Sequence, residues 1–209
     1  METQTKETQS KMTPQMSLTY LEEGNQRFLK SLRANRNLLD QVKNTKGGQY
    51  PFAAVLSCID SRVPVEIVFD QGIGDLFSAR VAGNFVNEDI LGSIEYACKV
   101  AGSKLVVVLG HTSCGAVKGA CDNVKLGNIT SLLSKIKPAV ETVKEPKDAL
   151  LRNSGNIEFV NNVSKQNVML TIENMRNESE VLKELETSGD IQIIGAMYHV
   201  DSGRVEFYG

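Results

Sequence analysis

Apolar residues along this chain follow two rhythms. Phe52–Ser57, Leu105–Leu109 and Ile191–Met197 are short, nearly continuous apolar runs, the pattern of strands buried on both faces. Leu76–Val81 predicts a further strand, followed by the loop Ala82–Gly83–Asn84, and Gly203 turns the chain into a last short one, Val205–Tyr208. Elsewhere apolar positions recur every three or four residues. Leu21, Phe28, Leu29 and Leu32 predict a helix over Leu18–Leu32 capped by Ser17, and Ile90, Leu91, Ile94, Ala97 and Cys98 predict one over Glu88–Val100. A more polar helix is expected over Asn35–Lys46, ended by Gly47 and Gly48. Pro64 suits the first turn of a short helix through Val68, and Cys114–Cys121 reads as another. Ile129 to Glu186 is helical in pattern, with breaks near Pro138, Pro146 and Asn177.

Strands alternating with helices predict an α/β fold around a mainly parallel sheet flanked by helices. The expected organisation is a single domain over residues 17–209, preceded by an arm over residues 1–16. That arm is polar and rich in Thr, Gln and Lys, so it is expected to be mobile, or ordered only against another subunit.

Composition narrows the setting. The chain has 209 residues, 41% hydrophobic and 23% charged, which suits one soluble domain with a sizeable core. A net charge of -2 offers no electrostatic reason to bind nucleic acid or an anionic membrane. No apolar run approaches bilayer length, and METQTKETQSKMTPQ lacks the apolar centre of a secretory signal, so a cytoplasmic protein is expected. Four cysteines in such a chain suggest ligands or buried thiols rather than a disulfide framework.

The candidate chemistry sits where two strand runs end. The first ends at Cys58, with Asp60 and Arg62 just beyond, and the second at His111, with Cys114 three residues later. In an open α/β sheet, functional residues collect beyond the carboxyl ends of strands. If the two strands are neighbours, Cys58, His111 and Cys114 converge. Two thiolates and an imidazole suit Zn²⁺ and leave its fourth position open for catalysis. Cys114 would open a helix, where the dipole favours thiolate. Asp60 has two readings: it orients a zinc-held hydroxide while Arg62 keeps it ionised, or it closes the zinc shell as fourth ligand. Cys98 reads as a buried small hydrophobe and Cys121 likewise, while His199 reads as a surface or interface histidine with a proton relay as the rarer alternative.

Cys58-Ile59-Asp60-Ser61-Arg62 and His111-Thr112-Ser113-Cys114 resemble the two signature motifs of the β-class carbonic anhydrases. The resemblance runs from about Leu18 to Phe207 and takes in Arg80-Val81-Ala82-Gly83-Asn84, Ile94-Glu95-Tyr96-Ala97 and Gly195-Ala196-Met197-Tyr198. It implies one zinc ion per subunit on Cys58, His111 and Cys114, and Asp60–Arg62 as a catalytic dyad. It further implies four parallel strands plus an antiparallel edge strand, and a homodimer or dimer of dimers. The implied reaction is reversible hydration of CO₂ to bicarbonate and a proton by zinc-activated hydroxide. The family has an open, plant-like kind of site, whose Gln, Phe and Tyr offsets fall on Gln49, Phe77 and Tyr96. Gln49 would donate to a substrate oxygen, and Phe77 and Tyr96 would wall the pocket, in one version from the partner subunit. The other kind carries a Trp where this chain has Val55, and the chain has no Trp at all.

Rival readings are the same site acting on CS₂ or COS, a zinc oxidoreductase, and a non-catalytic zinc protein with Asp60 bound permanently. The oxidoreductase fares poorly, because Gly72-Ile73-Gly74 lacks the third glycine and the preceding strand of a dinucleotide fingerprint.

Overall fold

Five strands carry the fold: β1 (Ala53–Ser57), β2 (Leu76–Arg80), β3 (Leu105–His111), β4 (Gln192–Tyr198) and β5 (Val205–Tyr208). The computed structural model describes residues 3–208. The strands form one sheet in the order β2-β1-β3-β4-β5, with every pair parallel except β4 and β5. The expected four parallel strands and antiparallel edge strand are therefore present.

β1 and β3 are buried at every position because helices cover both sheet faces. Alternate side chains of these strands enter two cores. Val55, Val107 and Leu109 pack with Leu21, Phe52, Val68 and Phe69 on the face covered by α2 (Pro14–Leu29) and α4 (Val65–Val68). Leu56, Val106 and Val108 pack with Ile94, Val168, Ile172 and Met175 on the face covered by α5 (Glu88–Glu95) and α9 (Ile157–Glu178). A third cluster sits past the carboxyl ends of the strands. There Cys58, Phe85 and Cys114 meet Val117 of α6 (Gly115–Cys121), Leu133 of α7 (Gly127–Ser134), Ala139 of α8 (Lys137–Thr142) and Phe159.

Several boundaries differ from expectation for local reasons. α2 starts earlier than Ser17, because Thr13 accepts from the Met16 N–H and Pro14 supplies the first turn. The helix over Glu88–Val100 is not regular: α5 passes at Tyr96 into a five-residue π turn, Tyr96–Val100. The breaks expected near Pro138 and Asn177 are present: α7 ends at Ser134 and Pro138 lies in the first turn of α8, while α9 ends at Glu178 and Ser179 caps α10 (Glu180–Thr187). The polar helix appears as α3 (Leu38–Thr45), capped by Asn37.

The N-terminal segment carries a short helix of its own. Lys6–Ser10 forms α1, which contacts the body of the same chain. Gln9 is 7% exposed, and its amide donates to the carbonyls of Pro51 and Ala101 at 2.8 Å each. Met12 joins the core beside Leu21. The polar composition hid this because the anchoring residue is itself polar. No helix among the described residues is long and apolar enough to cross a membrane.

Candidate metal centre

Strand register assembles the centre. β1 lies beside β3 with Ser57 opposite Leu109, so Cys58, one step past β1, arrives next to His111 at the end of β3. The turn Thr112–Ser113 then returns the chain to Cys114, the N-cap of α6. Cys58, His111 and Cys114 are all buried, and their donor atoms lie within 4.8 Å of one another. The sulfurs are 4.0 Å apart, far beyond a disulfide and near the roughly 3.8 Å that two Zn–S bonds of about 2.3 Å subtend at a tetrahedral angle.

His111 supplies the test of fit. Its Nδ1 donates to the Thr112 carbonyl at 2.9 Å, which leaves Nε2 with its lone pair facing the sulfurs. That nitrogen is fully buried and has no hydrogen-bond partner. An unpartnered buried polar atom costs about 1–3 kcal/mol. A cation between Nε2 and the two sulfurs removes the cost, and two thiolates with one imidazole match zinc.

The two thiols face each other across a single S···S contact. The hydrogen bond from Cys114 draws the Cys58 thiol down to about 4 against the opposing effect of burial, with His111 and the Gly83 and Asp60 backbones helping. The same bond, together with burial, pushes Cys114 up. The start of α6 works the other way, as the dipole argument expects: the backbone N–H groups of Ala116 and Val117 lower Cys114. A second negative charge here calls for a metal cation.

Asp60 and Arg62 form a closed pair beside the donors. Arg62 donates its backbone N–H and Nε to Asp60 Oδ1 at 2.9 Å each, and Nη2 to Oδ2 at 2.8 Å. This guanidinium holds the Asp60 carboxyl well below the usual carboxylate range, and Asp60 in turn raises Arg62. Asp60 Oδ2 lies 3.8 Å from His111 Nε2.

Further residues brace this arrangement, and spacing alone did not single them out. Arg80, opposite Ser57 in the sheet, donates Nε to the Cys58 carbonyl at 2.9 Å and Nη2 to the Asp60 carbonyl at 2.7 Å. Gly83 donates its N–H to Cys58 Sγ at 3.4 Å. Its φ of +83° and the Ile136 Cδ1 atom, 2.4 Å from where a Cβ would stand, both demand glycine. The sequence offered only the Arg80–Asn84 motif as a signal for either residue.

Gln49, Phe77 and Tyr96 are not brought onto Cys58 within one chain. Gln49 is exposed, ahead of Pro51 at the amino end of β1, whereas Cys58 lies past the carboxyl end. Phe77 on edge strand β2 meets Tyr96 edge-to-face at 6.1 Å, and Tyr96 is 50% exposed. Cys98 and Cys121 are buried thiols, pushed by that burial to about 12 and about 11. His199 is partly exposed, with Nε2 3.6 Å from Glu206 Oε2.

With this geometry in hand, likeness to known proteins is informative. The family described as "Carbonic anhydrase" matches residues 53–205. A carbonic anhydrase of Mycolicibacterium smegmatis is 38% identical over 188 residues, covering 89% of each chain. Among solved structures, the β-carbonic anhydrase CafA of Aspergillus fumigatus superposes with a TM-score of 0.72 at 24% identity, covering 93% of this chain and 89% of that one. One of two tetrameric β-carbonic anhydrases of Sordaria macrospora gives 0.69 at 22% identity, covering 80% and 85%. Matched along most of its length and sharing the fold of such enzymes, this chain belongs to the β-class carbonic anhydrases.

Proposed function

We infer that the protein catalyses the reversible hydration of carbon dioxide to bicarbonate and a proton, with a zinc ion on Cys58, His111 and Cys114. The observation that carries this reading is His111 Nε2, buried, unpartnered and facing two thiols beside a locked Asp60–Arg62 pair. Zinc in such a centre acts as a Lewis acid that makes water a competent nucleophile near neutral pH.

The chain's own residues do the rest. Ionised Asp60 is an acceptor only, and its Oδ2 faces the region of His111 Nε2. It accepts a hydrogen bond from the attacking oxygen and so orients a lone pair toward the CO₂ carbon. Arg62, bonded to both Asp60 oxygens, keeps that carboxylate off the metal. Gln49, Phe77 and Tyr96 complete the pocket from a second copy of the chain: Gln49 donates its amide to a CO₂ oxygen, and the two rings exclude water. Exposure of Gln49 and Tyr96 on a single chain supports this arrangement.

Stopped-flow CO₂ hydration by zinc-loaded protein tests the reading. Asp60→Asn should lower kcat/KM by about a hundredfold or more, the scale of a lost proton-handling group. Zinc-loaded wild type that stays inactive even at alkaline pH would rule the reading out.

A further inference from the structure

Helix α9 reaches both halves of the metal centre through two asparagines. Asn167 is 3% exposed and donates Nδ2 to the Gly83 carbonyl at 2.7 Å. The N–H of that same Gly83 residue donates to Cys58 Sγ. One turn and a half earlier, Asn161 accepts from the Ser113 N–H through Oδ1 at 2.9 Å. Ser113 has a φ of +56°, and it joins His111 to Cys114 in the tight turn that lets both face one point. Left-handed backbone at a residue other than glycine needs outside support. Val160, Val163, Val168 and Ile172 of the same helix are buried in the cores; Asn167 is buried with them, whereas Asn161 is only partly buried.

We propose that Asn161 and Asn167 are positioning residues for the metal: from one rigid helix they fix the Ser113 and Gly83 residues, and through them the separation of Cys58 from His111 and Cys114. The proposal rests on the reading that these three residues hold zinc. It carries a polarity that simple packing would not. Asn161 works as an acceptor, so Asp can replace it, with Lys165 four residues on to balance the charge. Asn167 works as a donor, so Asp would set a carboxylate against the Gly83 carbonyl.

The test compares Asn161→Ala, Asn161→Asp, Asn167→Leu and Asn167→Asp with wild type in the full chain. Zinc release to a chromophoric chelator is timed, and the thiolate-to-metal absorption of the cobalt(II)-substituted proteins is recorded. Loss of such outer contacts weakens metal binding by about 10–100-fold. Asn161→Ala and both Asn167 variants should therefore release zinc at least about tenfold faster with altered cobalt spectra, while Asn161→Asp keeps wild-type behaviour. Asn161→Ala indistinguishable from wild type, or Asn161→Asp as impaired as Asn161→Ala, overturns the proposal. Should the Asn167 variants fail to fold, the Asn161 pair decides alone. Wild type that takes up neither zinc nor cobalt overturns the metal reading itself, whereas normal wild-type uptake with indifferent variants overturns only the positioning role.

Discussion

Arg62 decides how Asp60 behaves as pH changes. A carboxyl held well below its ordinary range stays ionised throughout the neutral region. The sign follows: the pair's stabilising contribution is full above the unfolded carboxyl value, near 4, and is lost only as pH falls through the lower folded value. CO₂ hydration should therefore decline gradually on the acid side, and an abrupt shutdown just below pH 8 in stopped-flow profiles would contradict an open site. At this scale the sequence was most informative where chemistry coincides with the end of an apolar run. Cys58, His111 and Cys114 could be read that way, and Asp60 and Arg62 through their spacing from Cys58. Arg80, Asn161 and Asn167 could not, because each acts on a backbone group that only sheet register or helix docking brings near. Asn167 and Gly83, for instance, are 84 residues apart.

Among elements, the loop after β2 and the junction of α2 with α4 are the points most sensitive to change. Gly83→Ala would force a side chain into left-handed backbone and into Ile136. Chemical denaturation should show a loss on the order of 2–4 kcal/mol, together with weaker zinc retention. Asp70, just past α4, is 4% exposed at its side chain and takes Arg27 Nε and Arg36 Nη1 at 2.6 Å each. Burial pushes its carboxyl up, but Arg27, the Ala34 N–H and Arg36 together bring it below the ordinary value. Its stabilisation is thus full above the unfolded carboxyl value, near 4, and is lost as pH falls through the lower folded value. Asp70→Ala should cost about 3–5 kcal/mol, because Arg36 would keep a buried charge without its carboxylate, and urea titrations at pH 7 and pH 3 should show the gap narrowing in acid. The parallel direction of four strands and the antiparallel edge strand were legible from alternating runs and family resemblance, whereas the order β2-β1-β3-β4-β5 came only with the sheet register. The π turn at Tyr96 was not, since its apolar positions fit an ordinary helix equally well.

For the whole molecule, exposed apolar side chains stand on α3 and on the turn after α5. Leu38, Leu39 and Val42 on α3 are 54%, 72% and 48% exposed, and Tyr96 and Val100 are 50% and 70%. Residues of this kind in numbers mark association surfaces. If Gln49, Phe77 and Tyr96 serve the site of a second copy, activity per chain should fall on dilution in step with dissociation seen by sedimentation. Constant activity in a purely monomeric sample would refute that arrangement. The docking of α1 was not readable in the sequence, because it hangs on one buried glutamine. That glutamine has a practical corollary for anyone handling the protein. Gln9 ties together Pro51 and Ala101, the chain just ahead of the two strands whose far ends carry Cys58 and His111. A recombinant fusion or trimming that disturbs the first dozen residues would loosen the sheet at the end away from the metal.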